Sequence, residues 1–367
     1  MRARDRDRRV YLSSHPLLFA LLAATRRRHT MRLGRTILVH DRDAYVDVLT
    51  RIPLDRTAAG TTGGAAGRLT GSDVLFDQHG EAHRRARRSA ADTLGAAGVA
   101  RIRPVWTELL GRRLKPLADG EPVDLVPLAA ELAGVTSAAL LGIDTDPMEL
   151  ARAAQQAAAA TARAHLPGPK RRRAGPAAER AAARLTALAA PGGGPDAGRA
   201  AIIAVAAVNT TVAALPRAAA WTADADLWAY ADGPALADEL LRVTAPTPLL
   251  PRVAAGPGTA GGCPVRPGDR LLLIARHAVD AARGVPDPVR PAPAQVARLV
   301  FGVGPHACPG AHLARTQLAD LLAALAPYRP RVVRARADRR AALPSWRSLI
   351  IRATTLGPPA PSDPGAP

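Results

Sequence analysis

Cysteine is scarce in this chain: Cys263 and Cys308 are the only two in 367 residues. Two cysteines cannot build a disulfide framework, which places the protein in a reducing compartment, the bacterial cytoplasm. Lysine is equally scarce, with only Lys115 and Lys170, although Lys+Arg total 50 against 31 Asp+Glu and the formal charge is +19. A bias to arginine, alanine, glycine and proline is the imprint of a GC-rich bacterial genome, so part of that charge carries no functional message. Aromatic residues make up 3% of the chain. None is interleaved with the basic runs "TRRRHTMR" and "GPKRRRAG", so no stacking platform for nucleic acid is present. Those runs read as solvated helix ends or loops. The apolar run in "HPLLFALLAATRRR" is too short to span a membrane, and Asp5 and Asp7 interrupt the basic segment that an export signal would need. Leu17 to Ala24 therefore reads as an ordinary buried helix.

What is present is mostly helical pattern. The length suits one large domain or two modest ones, and a single domain over 1–367 is expected, with 356–367 a disordered tail. "HTMRLGRTILVH" has strand character around a Gly turn, and "DRDAYVDVLTR" opens a helix on an Asp cap. "RTAAGTTGGAAGRLTGSD", around Gly63, reads as a mobile, ligand-facing loop. From Glu81 to about Ala190 the pattern is helical, with breaks near "ADGEPVD", "GIDTDP" and "HLPGPKRRRAGP". A long apolar helix from Arg199 to about Ala220 follows, then shorter ones at "DADLWAYAD" and "ALADELLRVT". Pro216 is expected to bend or end the long helix. "GCPVRPGDRLLLIARHA" turns at Pro267-Gly268 into a buried strand. The helix "AHLARTQLADLLAALAPY" and strand-like pieces close the chain. The class is mainly α with a minor β-sheet.

Cys308 lies in "FGVGPHACPGAHLAR". Gly302, Gly304 and Gly310 remove side chains around it, so a bulky flat group can approach the backbone. The helix that begins near Ala311 points its N-terminal amides at the sulfur. A buried small hydrophobe is the ordinary fate of a cysteine, and three chemical roles compete with it. As a nucleophile, Cys308 has His306 only two residues away, a poor geometry for a dyad. As a zinc ligand it has His306 and His312, with Cys263 or His277 to complete four, at a spacing that matches no common zinc pattern. As the axial ligand of a haem it uses the glycines, the aromatic and the basic neighbour together.

The same stretch resembles the haem-binding signature of the cytochrome P450 family, through Phe301, Gly302, Gly304, His306, Cys308, Gly310 and the trailing "LAR". Two further motifs stand in family order. "ADELLRVTAP" supplies Glu239 and Arg242, similar to the family's E-x-x-R helix, where i and i+3 share a face. "GEAHRRARR" supplies His83 and Arg87 at i and i+4, similar to its H-x-x-x-R helix. The resemblance implies a triangular helical prism around haem b, somewhat shortened. It implies that Cys308 is the axial iron ligand, with Phe301 packed beside it. His83, Arg87, His306 and Arg252 in "PLLPRVA" would hold haem propionates. Arg290 in "VPDPVRP" would complete a triad with Glu239 and Arg242.

The family's central helix reads A-G-x-[DE]-T-[TS], and its counterpart here is "AAVNTT", Ala206 to Thr211. Thr210 takes the oxygen-handling position; Asn209 stands where the acid is usual, and an amide does not titrate as a carboxylate does. Val208, Thr247 and Leu249 are expected to line a small-residue, apolar substrate pocket. The resemblance implies a dioxygen-dependent monooxygenase acting on a small-molecule or carrier-bound natural-product intermediate of secondary metabolism, with electrons from a separate acidic ferredoxin and its reductase. No nucleic-acid or membrane partner is expected. Asn209 keeps open a non-hydroxylating oxidation, such as coupling or desaturation, or a ligand-binding relative that does not oxygenate. A zinc-stabilised nucleic-acid-binding protein is the remote alternative.

Overall fold

The computed structural model describes residues 3–70, 75, 78, 80–165, 171–194 and 196–354. The chain opens with helices α1 (Ala3–Ser14) and α2 (Pro16–Thr25). Strands β1 (Thr30–Leu33) and β2 (Thr36–Val39) turn at Gly34, whose φ of 59° is a left-handed conformation natural to glycine. Next come α3 (Arg42–Arg51), β3 (Leu54–Asp55) and α4 (Thr62–Thr70). The Asp41 cap is present: its carboxylate accepts from the Ala44 amide at 3.0 Å.

The helical stretch resolves into α5 (Gly80–Leu94), α6 (Ala96–Leu114), α7 (Leu125–Leu141), α8 (Pro147–His165) and α9 (Arg171–Ala189), with β4 (Val123–Asp124) before α7. Helix α10 (Ala197–Asp224) and α11 (Pro234–Thr244) lead to β5 (Leu250–Ala254), β6 (Gly258–Ala260), β7 (Cys263–Val265) and β8 (Arg270–Leu273). Two single-turn helices, α12 (Ala275–Ala278) and α13 (Ala294–Ala297), precede α14 (Ala311–Leu325), β9 (Arg331–Asp338) and β10 (Ser345–Arg352).

Five strands form one sheet in the order β1-β2-β8-β5-β3, in which only β2 and β8 are parallel. A second sheet runs β4-β10-β9, and β6 and β7 make a separate hairpin. The helices share one large apolar core through Trp106, Leu128, Val208, Leu240 and Leu321, while the five-stranded sheet packs on α3 around Ile37, Tyr45, Leu271 and Leu273. Close helix packing is built in at Gly134 of α7: a Cβ there would sit 2.0 Å from the Pro147 carbonyl that opens α8. Buried side chains at α6 and α14 meet at Asp320, which accepts from the Trp106 indole at 2.8 Å and from Arg103 at 2.6 and 2.9 Å.

Four local expectations need correction. The Gly-rich stretch around Gly63 is not a loop throughout, since α4 occupies 62–70: the Thr61 hydroxyl accepts from the Gly64 amide at 3.0 Å and caps it. Pro216 does not end α10, which runs on to Asp224. "DADLWAYAD" holds only a short 3₁₀ turn at Trp228–Tyr230. Helix α2 buries one face, through Phe19 and Leu22, and leaves Leu17 89% exposed. The expected tail at 356–367 lies outside the described residues.

The continuation of α10 past Pro216 has a visible anchor. Arg217, fully buried, donates to the Asp7 carboxylate of α1 at 2.6 and 2.8 Å and to the Thr244 carbonyl at 2.6 Å. Arg276 donates to the other Asp7 oxygen at 2.9 Å and lies over the Tyr11 ring at 4.5 Å. One carboxylate thus ties α1, α10 and α12 together.

Candidate functional site

The cysteine loop is a short, closed structure set between α13 and α14. The Cys308 amide donates to the Phe301 carbonyl at 2.8 Å, and the Ala307 amide to Gly304 at 3.1 Å. Gly302 and Gly304 have φ of 75° and 78°, so both turns of the loop use conformations that side chains disfavour. Gly310 is different: its φ of −83° suits any residue, and a Cβ there would meet the Cys308 sulfur at an ordinary 3.8 Å. No protein atom demands the room it leaves beside the sulfur.

Cys308 itself is exposed, yet burial pushes its thiol up from the ordinary range. The Gly310 amide and the Arg87 charge act the other way and favour the thiolate. Phe301 is half-buried against the helical core, as expected for a ring that walls the loop.

Helix α5 brings its two motif residues to this loop. The His83 ring is buried and stacks on His306, with centroids 3.9 Å apart. Arg87, one turn on, donates through Nη1 to the Ala307 carbonyl. Three of the residues singled out from sequence as propionate holders therefore converge beside Cys308.

Arg252 enters from the sheet on β5. It is half-buried, donates through Nη1 to its neighbour's carbonyl at 2.9 Å, and its Nε is buried with no hydrogen-bond partner. Burial lowers its pKa, with Tyr45 opposing. Arg56, which sequence reasoning missed, adjoins it: burial, and secondarily the Arg252 charge, pulls its pKa down to about 10. The β3–β5 register pairs Asp55 with Val253, so the chain leaves β3 with Arg56 next to Arg252. No motif spacing links the two in sequence.

Helix α10 presents an open face within an otherwise buried segment. Ile203, Ala206, Ala207 and Thr210 fall on one helical stripe and are half-buried, whereas Ala204, Val208, Thr211 and Val212 are buried. Val208 is 0% exposed inside the helical core, which corrects its expected place in a substrate pocket. Thr247 and Leu249 are half-buried at the start of β5. The Thr210 hydroxyl donates back to the Ala206 carbonyl at 2.8 Å. The Asn209 amide donates to Val205 at 2.8 Å and across to the Ala154 carbonyl of α8 at 3.3 Å. Asn209 thus serves as a tie between α10 and α8.

Glu239 and Arg242 form a buried, two-pronged pair at 2.6 and 2.8 Å. Arg290 does not join them. Its side chain is 89% exposed and faces Asp287, because the remaining Glu239 lone pairs are filled by the backbone amides of Asp287 and Ala292, both at 3.1 Å. The zinc ligand set does not assemble either. Cys263 lies in the β6–β7 hairpin, His312 is exposed, and the His277 ring bonds to His40 at 2.7 Å. Among the described residues no three metal-ligating side chains cluster.

The residues present fit a haem. An exposed thiol sits in a loop that two imidazoles and a guanidinium reach, and the Arg252 guanidinium has a buried donor without a partner and, among the described residues, no acid beside it. No family model matches the chain, and no curated protein matches it significantly. Solved structures do match. A P450 EryK mutant in complex with erythromycin B superposes with a TM-score of 0.69 at 20% identity, covering 96% of this chain and 99% of that one. P450BioI, solved in complex with an acyl carrier protein ligated to hexadec-9Z-enoic acid, gives 0.73 at 18% identity, covering 93% and 99%. CYP108D1 from Novosphingobium aromaticivorans gives 0.69 at 22% identity, covering 95% and 98%.

Proposed function

The chain has the cytochrome P450 fold, and from that premise we propose that it is a haem-thiolate monooxygenase. The observation that carries the reading is the convergence of His83, His306 and Arg87 on the loop that holds Cys308. Haem b bound through Cys308 supplies the reductive activation of dioxygen. Burial raises the Cys308 pKa, and the Gly310 amide and Arg87 oppose it in favour of the thiolate. His83, His306, Arg87 and Arg252 offer donors to the propionates. Thr210, on the open face of α10, keeps its oxygen lone pairs available while its proton is lent to Ala206. It can therefore hold a water or a proton-bearing group on that face.

The substrate is a small molecule or a carrier-bound acyl intermediate of a natural-product pathway. The stripe of Ile203, Ala206 and Ala207 offers it an apolar, small-residue surface, with Thr247 and Leu249 at the sheet side. Electrons come from an acidic ferredoxin with its reductase, which suits the +19 charge. The scarcity of cysteine supports a cytoplasmic protein, and the lack of aromatics among the basic runs argues against a nucleic-acid partner. The one helix among the described residues apolar enough to cross a membrane is α10, and it is the core helix.

A second reading rests on Asn209. No carboxylate occurs on α10 between its first residue and Asp224, and the amide is committed to two carbonyls. Proton delivery then falls to water or to the substrate, which favours coupling or desaturation, or ligand binding without oxygenation. Turnover under ¹⁸O₂ with a surrogate ferredoxin and reductase, across a panel of apolar small molecules and acyl-carrier thioesters, separates the two. Label in the product supports oxygenation. Electron consumption that ends only in peroxide and water, or unlabelled oxidised product, overturns it.

A further inference from the structure

Two arginines, Arg56 and Arg252, meet where β3 and β5 pair, and among the described residues no acid accompanies them. Asp55, the nearest acid in sequence, is turned into its own loop, where one carboxylate oxygen accepts from the Thr57 amide and hydroxyl, both at 2.9 Å, and from the Ala58 amide at 3.0 Å. The Tyr45 phenol lies near Arg252 and donates to the Leu299 carbonyl at 3.2 Å. The Arg252 Nε is buried and unpartnered. Burial lowers the pKa of both guanidiniums, and no carboxylate offsets it for either.

Partly buried cations without an anion are costly, and native proteins pair them or present them to a ligand. A haem brings two carboxylates. The His83, His306 and Arg87 group stands at the cysteine loop on α5, while Arg252 and Arg56 approach from the sheet. Two separate donor groups match two propionates.

The structure assigns Arg56 as a second clamp, beside Arg252, on one haem propionate. The assignment rests on the haem-thiolate reading above. Arg56 acts here as a binding residue: with Arg252 it would neutralise and orient one carboxylate through charge-assisted hydrogen bonds.

Haem loss from the purified holoprotein, followed by transfer to excess apomyoglobin, tests it. The variant is Arg56→Met, which keeps most of the side-chain volume and removes the charge. It is compared with the wild type for both haem and haem dimethyl ester, in which the propionates are neutral. Arg56→Met is expected to release haem about tenfold faster, and to release the ester at the wild-type rate. Equal rates of haem loss in the two proteins would overturn the assignment. Equal acceleration for haem and ester would overturn it as well, because that marks a structural role. A weakened spectral shift with carboxylate ligands, at unchanged haem loss, would move Arg56 to the substrate and overturn it too. Should the wild type form no haem-thiolate complex, the underlying reading falls before any variant is made, so the two failures are distinct.

Discussion

Asp7 and Arg56 mark two regions that handle buried charge in opposite ways. Around Asp7, one carboxylate holds Arg217 and Arg276, and their spare donors reach the carbonyls of Val243 and Thr244. Around Arg56, two guanidiniums share a site with no carboxylate among the described residues. The first region is complete within the polypeptide and fixes where α1, α10 and α12 sit. The second, on our proposal, is completed by a haem propionate. A missing counterion inside a fold thus marks function where a satisfied network marks architecture.

The largest expected effect comes from turning the first region into the second. Asp7→Asn leaves Arg217 and Arg276 without an anion and should cost about 3–5 kcal/mol, seen as a lower urea midpoint in apoprotein and holoprotein alike. Arg252→Met should do the reverse. It removes an unpaired cation, so the apoprotein should unfold at an equal or higher urea concentration while haem retention drops. A parallel loss of apoprotein stability in Arg252→Met would show that the guanidinium is satisfied by the protein itself.

Asn209→Asp replaces a donor with an acceptor facing the Val205 and Ala154 carbonyls. The expected cost is about 1–3 kcal/mol, read from thermal or urea unfolding. A gain in coupled product without loss of stability would show instead that residue 209 reaches the catalytic site and that the native chain is short of protons.

Acid sensitivity should trace to a further buried pair. His40 Nε2 sits 3.1 Å from the Thr25 hydroxyl, which donates to the Leu21 carbonyl at 2.9 Å, so His40 carries its proton on Nε2. His277 Nδ1 then donates to His40 Nδ1 at 2.7 Å. Burial lowers the two pKa values to about 4 and about 3, the second also through the His40 charge. The unfolded chain takes up protons below the ordinary histidine value of about 6.5, whereas the folded one does not. Stability is therefore full above that pH and declines as pH falls toward 4. His277→Gln should flatten that slope in urea midpoints measured at pH 7, 5.5 and 4.5. The smallest effect is predicted at Arg290: Arg290→Ala should stay within about 0.5 kcal/mol, because Glu239 is saturated by Arg242 and two backbone amides.

These contrasts also show what was legible in the sequence. The cysteine loop, the α5 pair and the Glu239–Arg242 pair are local motifs, legible through their resemblance to the family's signatures; spacing alone would leave the last two as solvent-exposed pairs. The third partner of Glu239 was misread as Arg290 because backbone amides leave no compositional trace. Val208 was misplaced because its motif position does not say which of two helix faces meets the core. The Gly-rich stretch before α5 hid the helix α4, whose Thr61 cap and contact with neighbouring elements outweigh low local propensity. Arg56 could not be found at all from sequence in so arginine-rich a chain. Only the β3–β5 register brings it to Arg252.

The most direct test of the account is the ferrous carbon monoxide spectrum of the purified protein, recorded beside Cys308→Ser. A haem-thiolate band in the wild type that disappears in the variant is the predicted result. A protein that binds no haem, or one whose spectrum is indifferent to Cys308, would contradict it.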